Sequence, residues 1–463
     1  MSVSRKDFLA ANAAAAAAAL IAAEAPRAAA AAALPAPLLL SFDPHDPNIV
    51  YDLVVTGGTV LDPSQKLDAK RDVAMKNGQI AALLTPGTVV KSVQSIDASG
   101  NLVTPGLVDM HCHYYHQVSG IGLPADEMMH LTMTTTGVDA GDAGSSTFSG
   151  FRHFVIGQAR TRHFAFVHIA SIGLAGDPIK IGELFNIDYA DVEKCAKTVA
   201  ENRDVVLGVK VRLSKNVVGN NGIEPLRRAI KAAEIAGPWA RVMAHIGNCD
   251  APLADVLDMM RPGDIITHCY SGAFGANNIV VDGKLLPAAL RAKKRGVLFD
   301  VGHGGGSFDV TIAKPAIEAG LTPDTISSDV HSASIQSPSR PLFPNVASKF
   351  LALGFSLGEV IAKTTNVPWQ DHRSRTGPRN ARDRRARGYR DFSHRRRSDH
   401  LRRHEQTQFF GRPLSRTGQG HQRRPTTRTP VSEPVYVYVE RRAQVGAFEP
   451  KLRKRGSCIS LTS

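Results

Sequence analysis

Three features of the sequence predict an α/β fold: a (β/α)8 TIM barrel with a small N-terminal β-sandwich portion. Between Pro105 and Pro368, eight short apolar runs alternate with helical stretches over about 265 residues, the size of one such barrel. Before them, YDLVVTGGTVLDPSQKLDAKRDVAMKNGQIAAL, from Tyr51, alternates apolar and polar residues around Gly-Gly and Asn-Gly turns. The polar residues of the eight runs fall at their C-terminal ends, the face on which barrels carry their chemistry.

The chain of 463 residues, 43% hydrophobic, is long enough for one large domain and a smaller one. Residues 1–34 hold the pair Arg5-Lys6, then Phe8-Leu9 and a long alanine run. This resembles a twin-arginine export signal with one arginine replaced by lysine, cleaved among the alanines between Arg27 and Leu34. It predicts a periplasmic or exported protein; an alanine-rich helix or linker, and a cytoplasmic protein, is the alternative. No stretch reads as a membrane span of bulky apolar residues. Residues 50–104 form the sandwich portion and 105–368 the barrel.

The expected barrel strands are LVDMHCH, TTGVDAG, FAFVHIAS, VVLGVKVRL, RVMAHIGN, DIITHCYSG, VLFDVGHGG and DTISSDVHS. Helices such as EPLRRAIKAAEIAG and PAALRAKKRG lie between them, and their closing glycines suit C-caps. A doubly wound open sheet is the structural alternative, but no Gly-rich phosphate turn follows the first strand.

In VDMHCHYYHQ, strand alternation points His111 and His113 the same way and Cys112 the other. Lys210, His245, His268 and Asp329 close strands four, five, six and eight, so the fold brings them to one pocket. Four imidazoles and a carboxylate suit a divalent metal such as zinc, which takes nitrogen at about 2.0–2.1 Å. Lys210 is the odd member, because a buried ammonium is costly and repels a metal. Reaction with carbon dioxide turns it into a carbamate, an anion able to bridge two ions. Singly, each of these residues reads as structural: a core histidine, a helix-capping Asp329, a Lys210 paired with a carboxylate.

The set HxH, strand-four Lys, two His and strand-eight Asp resembles the amidohydrolase superfamily, as do TPGLVDMHCH and YDLVVTGGTVLDP. The runs VDAGDAGSSTFSGFR, GVKVR, HCYSG, DVGHGGGSF and SSDVH are similar to its dihydroorotase-like amidohydrolases and deacetylases. The likeness covers roughly residues 50 to 368. It implies His111, His113 and Asp329 on a buried metal, His245 and His268 on an exposed one, and carboxylated Lys210 between them. Two divalent ions, Zn2+ by preference, would share a hydroxide that attacks an amide, cyclic amide or ester. Asp329 would serve as general base and then acid. Tyr115 stands where true dihydroorotases carry a substrate-gripping arginine, which argues for deacylation of a small acylated acid or amine instead.

Softer expectations surround this set. Arg212 shares the inward face of Lys210 and could bind a carboxylate or neutralise a neighbour. His303, within a glycine run, and His331, Tyr270 and Ser271 are candidate substrate contacts. His116 is expected at the rim; Cys112, Cys249 and Cys269 are expected to pack. Five scattered cysteines without CxxC spacing give neither a disulfide framework nor a zinc knuckle.

The net charge of +14 comes from the tail. Residues 371–463 hold 24 Lys+Arg and 8 Asp+Glu, leaving 32 and 34 of the chain's 56 and 42 for the rest. Residues 369–463 are therefore set apart as an aberrant basic tail, frameshifted or disordered, where the C-terminal half of the sandwich should follow. Shifted GC-rich codons read as arginine, and GYRDFSHRRRSD can be recoded one base later as the strand-like DIAIFRIEEGA. A basic arm for nucleic acid is the competing reading. Two further function classes stay open: a nucleic-acid-binding protein on an inactive barrel, and a mononuclear deaminase, which would lack the carboxylated lysine. The partner expected is a small molecule rather than nucleic acid; a homo-oligomer is left open.

Overall fold

Short alternating runs with glycine turns give the N-terminal sheets. They comprise β1 (Val50–Thr56), β2 (Thr59–Asp62), β3 (Leu67–Lys70), β4 (Asp72–Lys76), β5 (Gln79–Leu84), β6 (Lys91–Asp97) and β7 (Asn101–Val103). One sheet has the order β5-β4-β1-β6, the other β7-β2-β3. The expected Asn-Gly turn joins β4 to β5, with Asn77 at φ 53° and Gly78 at φ 71°, the left-handed pair that a tight hairpin needs. Leu53, Val55, Val73 and Met75 of one sheet pack against Val60 and Val103 of the other.

The computed structural model describes residues 48–175, 182–272, 277–339, 341–365 and 439–441. The export signal expected over residues 1–34 lies outside the described residues, as does the tail from 369 apart from Val439–Arg441. Those three residues add an antiparallel strand to β7.

Next come β8 (Val108–Cys112), β9 (Thr136–Asp139), β10 (Arg162–His168), β11 (Val206–Arg212), β12 (Arg241–His245) and β13 (Ile265–Thr267). A hairpin of β14 (Val280–Val281) and β15 (Lys284–Leu285) precedes β16 (Leu298–Asp300). Seven of these form one parallel sheet in the order β16-β13-β12-β11-β10-β9-β8. The eighth expected run, Thr325–Val330, fills the remaining position through parallel bridges to Asp300 on one side and Cys112 on the other. It is not a regular strand, because side chains replace part of its ladder. Thr325 Oγ1 and Ser327 Oγ donate to the Asp300 carboxylate at 2.5 and 2.7 Å, and the Ser328 N–H donates to Asp109 Oδ1 at 3.0 Å.

Apolar residues from seven strands, including Val108, Met110, Val138, Phe166, Met243 and Ile265, fill the barrel below its polar end. Helices cover the outside with one apolar stripe each. Glu224–Ala236 buries Leu226, Ala229, Ala232 and Ala233, and Pro287–Arg295 ends at Gly296, whose φ of 96° forms the expected cap. Among the described residues no helix is long and apolar enough to cross a membrane.

Candidate metal centre

The pairing of β8 with β9 shifts register between Asp109 and Cys112. A shift of this kind re-aims side chains. Met110 stays in the interior apolar layer, while His111 and His113 both reach the polar end of the barrel. Cys112 turns away and packs with Tyr114, Met128, Met129 and Val330, as alternation predicts.

His111 and His113 converge on Asp329. Asp329 Oδ1 lies 3.3 Å from His111 Nε2 and 3.1 Å from His113 Nε2, and these three buried residues have ligand atoms close enough to hold one metal ion. The Asp329 backbone has φ 49°, an uncommon conformation for a side-chain-bearing residue and one found at functional sites. Gly304 makes its approach feasible, because a Cβ there would meet Asp329 Oδ2 at 2.5 Å.

Lys210 is 1% exposed, with Nζ 3.4 Å from His111 Nε2 and 3.5 Å from Met243 Sδ. No carboxylate pairs with it among the described residues. Burial pushes its amine down to about 7, with Asp329 pulling the other way and Arg212 adding to the fall. Gly141, at φ 94°, leaves the room its stem occupies: a Cβ there would meet Lys210 Cβ at 2.6 Å.

His268 follows β13 with φ 66°. Its Nδ1 faces the Gly302 carbonyl at 2.6 Å, which leaves Nε2 buried and, among the described residues, without a hydrogen-bond partner. The ring lies 5.1 Å from that of His111 and 4.4 Å, edge-on, from that of His245. His245 closes β12, with Nε2 3.0 Å from Ser214 Oγ. The structure thus gathers His111, His113, Lys210 and Asp329 in direct contact, and His245 adjoins them through His268.

Sequence reasoning missed the groups that orient these rings. Asp142, just past β9, meets His113 Nδ1 at 2.7 Å. Thr267 Oγ1 meets His111 Nδ1 at 2.8 Å and donates to Asp300 Oδ2 at 2.8 Å. Such partners fix the tautomer and aim Nε2 at a metal. Burial alone would push His113 down, but Asp142 and Asp329 raise it to about 9, so this corner favours positive charge. Burial holds His268 down near 4, and His111 and His245 well below their usual value, in the neutral form that ligates metals. Asp329 feels burial upward, yet the electrostatic influence of the facing His111 ring and the His113 hydrogen bond hold it well below the usual carboxylate range.

The softer candidates divide. Arg212 Nη1 donates to Glu183 Oε1 at 3.0 Å. His331 lies edge-on to His113 at 5.9 Å and accepts the Ser334 N–H at Nδ1. Ser271 is buried, its backbone N–H donating to the His268 carbonyl at 2.9 Å. Tyr270, expected against a substrate, is instead fully buried in the main core, its hydroxyl donating to the Leu321 carbonyl at 2.7 Å. His303 has both ring nitrogens engaged, Nδ1 at the Gly304 carbonyl and Nε2 with Lys349 Nζ at 2.6 Å, and it stacks on Phe308. It is therefore turned to the wall rather than free for substrate. His116 is exposed at the rim, and Tyr115 packs on Phe151. Cys269 is buried and Cys249 half-buried.

The donor set fits a divalent ion. Two imidazoles and a carboxylate suit zinc, and the His268 Nε2, orphaned among the described residues, is the kind of buried polar atom that calls for a partner. No family model matches the sequence. A curated deacetylase of Brucella anthropi is 34% identical over 302 residues, covering 65% of this chain and 74% of that protein. The chain belongs to the amidohydrolase superfamily. The crystal structure of a dihydroorotase matches with TM-score 0.62 and 32% identity, over 70% of this chain and 82% of that one. That of an adenine deaminase matches equally in TM-score at 28% identity, over 70% and 84%. This amidohydrolase is a metal-dependent hydrolase, a reading that fits the centre and its relatives better than an inactive nucleic-acid-binding barrel.

Proposed function

We propose that this amidohydrolase removes an acyl group from a small acylated acid or amine, cleaving an amide or ester bond at two divalent ions, zinc by preference. His111, His113 and Asp329 would hold one ion and His245 and His268 the other, with Lys210 between them as a carbamate. The observation that carries this reading is Asp329 Oδ1 within 3.3 Å of two imidazoles, beside a buried lysine that has no carboxylate partner among the described residues. Sequence likeness to a protein named deacetylase supports acyl removal.

Bound there, divalent ions supply a water activated at neutral pH and polarise the acyl carbonyl. The Lys210 amine, lowered to about 7 by burial, is neutral often enough to attack carbon dioxide. Its nitrogen forms the new N–C bond and releases one proton, leaving an anion. Asp329 uses Oδ1 toward the two rings and keeps Oδ2 toward the glycine loop. That oxygen would be placed to take a proton from the water and return it to the leaving nitrogen or oxygen. Asp142 and Thr267 keep the two imidazoles facing inward throughout.

Hydrolysis of a panel of N-acetyl and O-acetyl acids and amines tests the reading. Turnover should vanish on chelation and return with zinc; turnover unaffected by exhaustive chelation contradicts it. The N-terminal alanine run supports export as a folded protein, checked by cell fractionation. The arginine-rich tail supports a slipped reading frame, checked by the nucleotide sequence around codon 368.

A further inference from the structure

Thr267 closes β13 and pairs with Asp300, the last residue of β16, which in turn bridges to Thr325 of the eighth run. Three hydroxyls from two barrel positions gather on the fully buried Asp300 carboxylate. Thr267 Oγ1 and Ser327 Oγ donate to Oδ2 at 2.8 and 2.7 Å, and Thr325 Oγ1 donates to Oδ1 at 2.5 Å. Burial raises this carboxyl, while the three hydroxyls and the Lys210 charge oppose the rise by favouring the anion.

The arrangement has a direction. An ionised carboxylate only accepts, and a threonine hydroxyl has one proton to give. Thr267 gives that proton to Asp300, so toward His111 Nδ1, 2.8 Å away, it presents a lone pair. His111 must then carry its proton on Nδ1 and leave the Nε2 lone pair facing the cavity. The cavity side does not make this choice. There Nε2 meets a donor, Lys210 Nζ at 3.4 Å, and an acceptor, Asp329 Oδ1 at 3.3 Å. Asp142 touches the His113 ring directly, whereas the Asp300 carboxylate stands 3.8 Å from His111 Nδ1 and acts through the hydroxyl between them.

We propose that Asp300 is a positioning residue: through Thr267 it sets the direction of this hydrogen-bond relay, and so decides which nitrogen of His111 is open to a metal ion. It touches neither the ion nor the substrate. The inference deepens the metal-centre reading above and rests on it for the ion, while the direction of the relay belongs to the metal-free chain.

Asp300→Asn keeps the shape but adds a donor. Its amide gives a hydrogen to Thr267 Oγ1, whose own proton turns to His111 Nδ1 and moves the ring proton to Nε2. The same exchange behind the histidine of a catalytic triad leaves the geometry intact and presents the wrong tautomer. The full chain, stripped of metal and labelled with 15N in its histidine rings, is compared by NMR, with the His111 signal assigned by its loss in His111→Gln. The wild type should carry the His111 proton on Nδ1 and Asp300→Asn on Nε2. Zinc affinity, from competition with a chromophoric chelator, should fall by roughly 10–100-fold in Asp300→Asn. Adding Thr267→Val to Asp300→Asn should recover part of it, because the misdirected donor is gone, whereas residues that merely pack would lose affinity together. Should Asp300→Asn fail to fold, Thr267→Ser should keep the wild-type tautomer and affinity and Thr267→Val should lose both; equal behaviour of these two would overturn the proposal. So would a wild type protonated on Nε2, a tautomer unchanged in Asp300→Asn, or a double variant weaker than Asp300→Asn alone. The predicted reversal in a chain that hydrolyses no acylated substrate would uphold the relay and overturn the hydrolase reading.

Discussion

Asp142 joins two parts of the centre: Oδ1 lies 2.7 Å from His113 Nδ1, and Oδ2 accepts the Tyr115 backbone N–H at 2.8 Å. The carboxylate therefore orients an imidazole and pins the loop that follows it. Asp142→Asn keeps the shape and removes the charge. Metal affinity should fall by roughly 10–100-fold, the usual effect of losing a partner that orients a ligand. Competition against a chromophoric chelator measures it; unchanged affinity would mean that Asp142 serves the loop alone.

Gly141 tests the packing around the lysine. With φ at 94° and a Cβ contact of 2.6 Å to Lys210 Cβ, Gly141→Ala must strain the backbone and displace the Lys210 stem. Overpacking of this kind costs about 1–3 kcal/mol. The variant should unfold at lower denaturant and carry less metal per chain than the wild type. Full metal content with wild-type stability would show that the lysine has room to spare.

Tyr270 separates core from pocket. Tyr270→Phe removes the hydrogen bond to the buried Leu321 carbonyl and should cost about 1–2 kcal/mol of stability. The kcat and KM of acylated substrates should not change. A raised KM in a variant of unchanged stability would return Tyr270 to the substrate.

Asp126 supplies a pH-dependent contribution to stability. It accepts the backbone N–H groups of Arg160 and Thr161 and the Thr161 hydroxyl. Burial pushes its carboxyl up, but these donors outweigh it and lower it below its ordinary value. The folded state thus binds the proton less readily than the unfolded state. The stabilisation is complete above the ordinary carboxylate value and disappears as pH falls through the folded one. Asp126→Asn should therefore be less stable than the wild type at about pH 7, with the difference shrinking by about pH 3. A gap in denaturation midpoint that stays constant with pH would contradict this.

The barrel was legible because parallel strands buried on both faces read as apolar runs, and all eight runs occupy ring positions. The strand-end positions of His111, His113, Lys210 and His245 were legible too, since each lies at or near the end of its run. The left-handed backbones of His268 and Asp329 were not, because tertiary packing and the neighbouring glycines impose them. Asp142, Thr267, Asp300 and Glu183 escaped notice because a buried carboxylate or hydroxyl has no periodic signature. The second acidic residue of VDAGDAG, just beyond a strand end, was the one available hint of Asp142. Tyr270 and His303 looked like pocket residues from their places in the runs, but Leu321 and Lys349, distant in sequence, claim their polar atoms.

The central claim is that Lys210 becomes an anion holding two metal ions. Metal content of wild type and Lys210→Ala, purified with zinc and bicarbonate, tests it most directly. The wild type should bind two ions per chain. The variant should lose at least one ion and its turnover, and both should be partly restored by a short carboxylic acid in the vacated space. A variant with two ions and full turnover, with no acid added, would contradict the account.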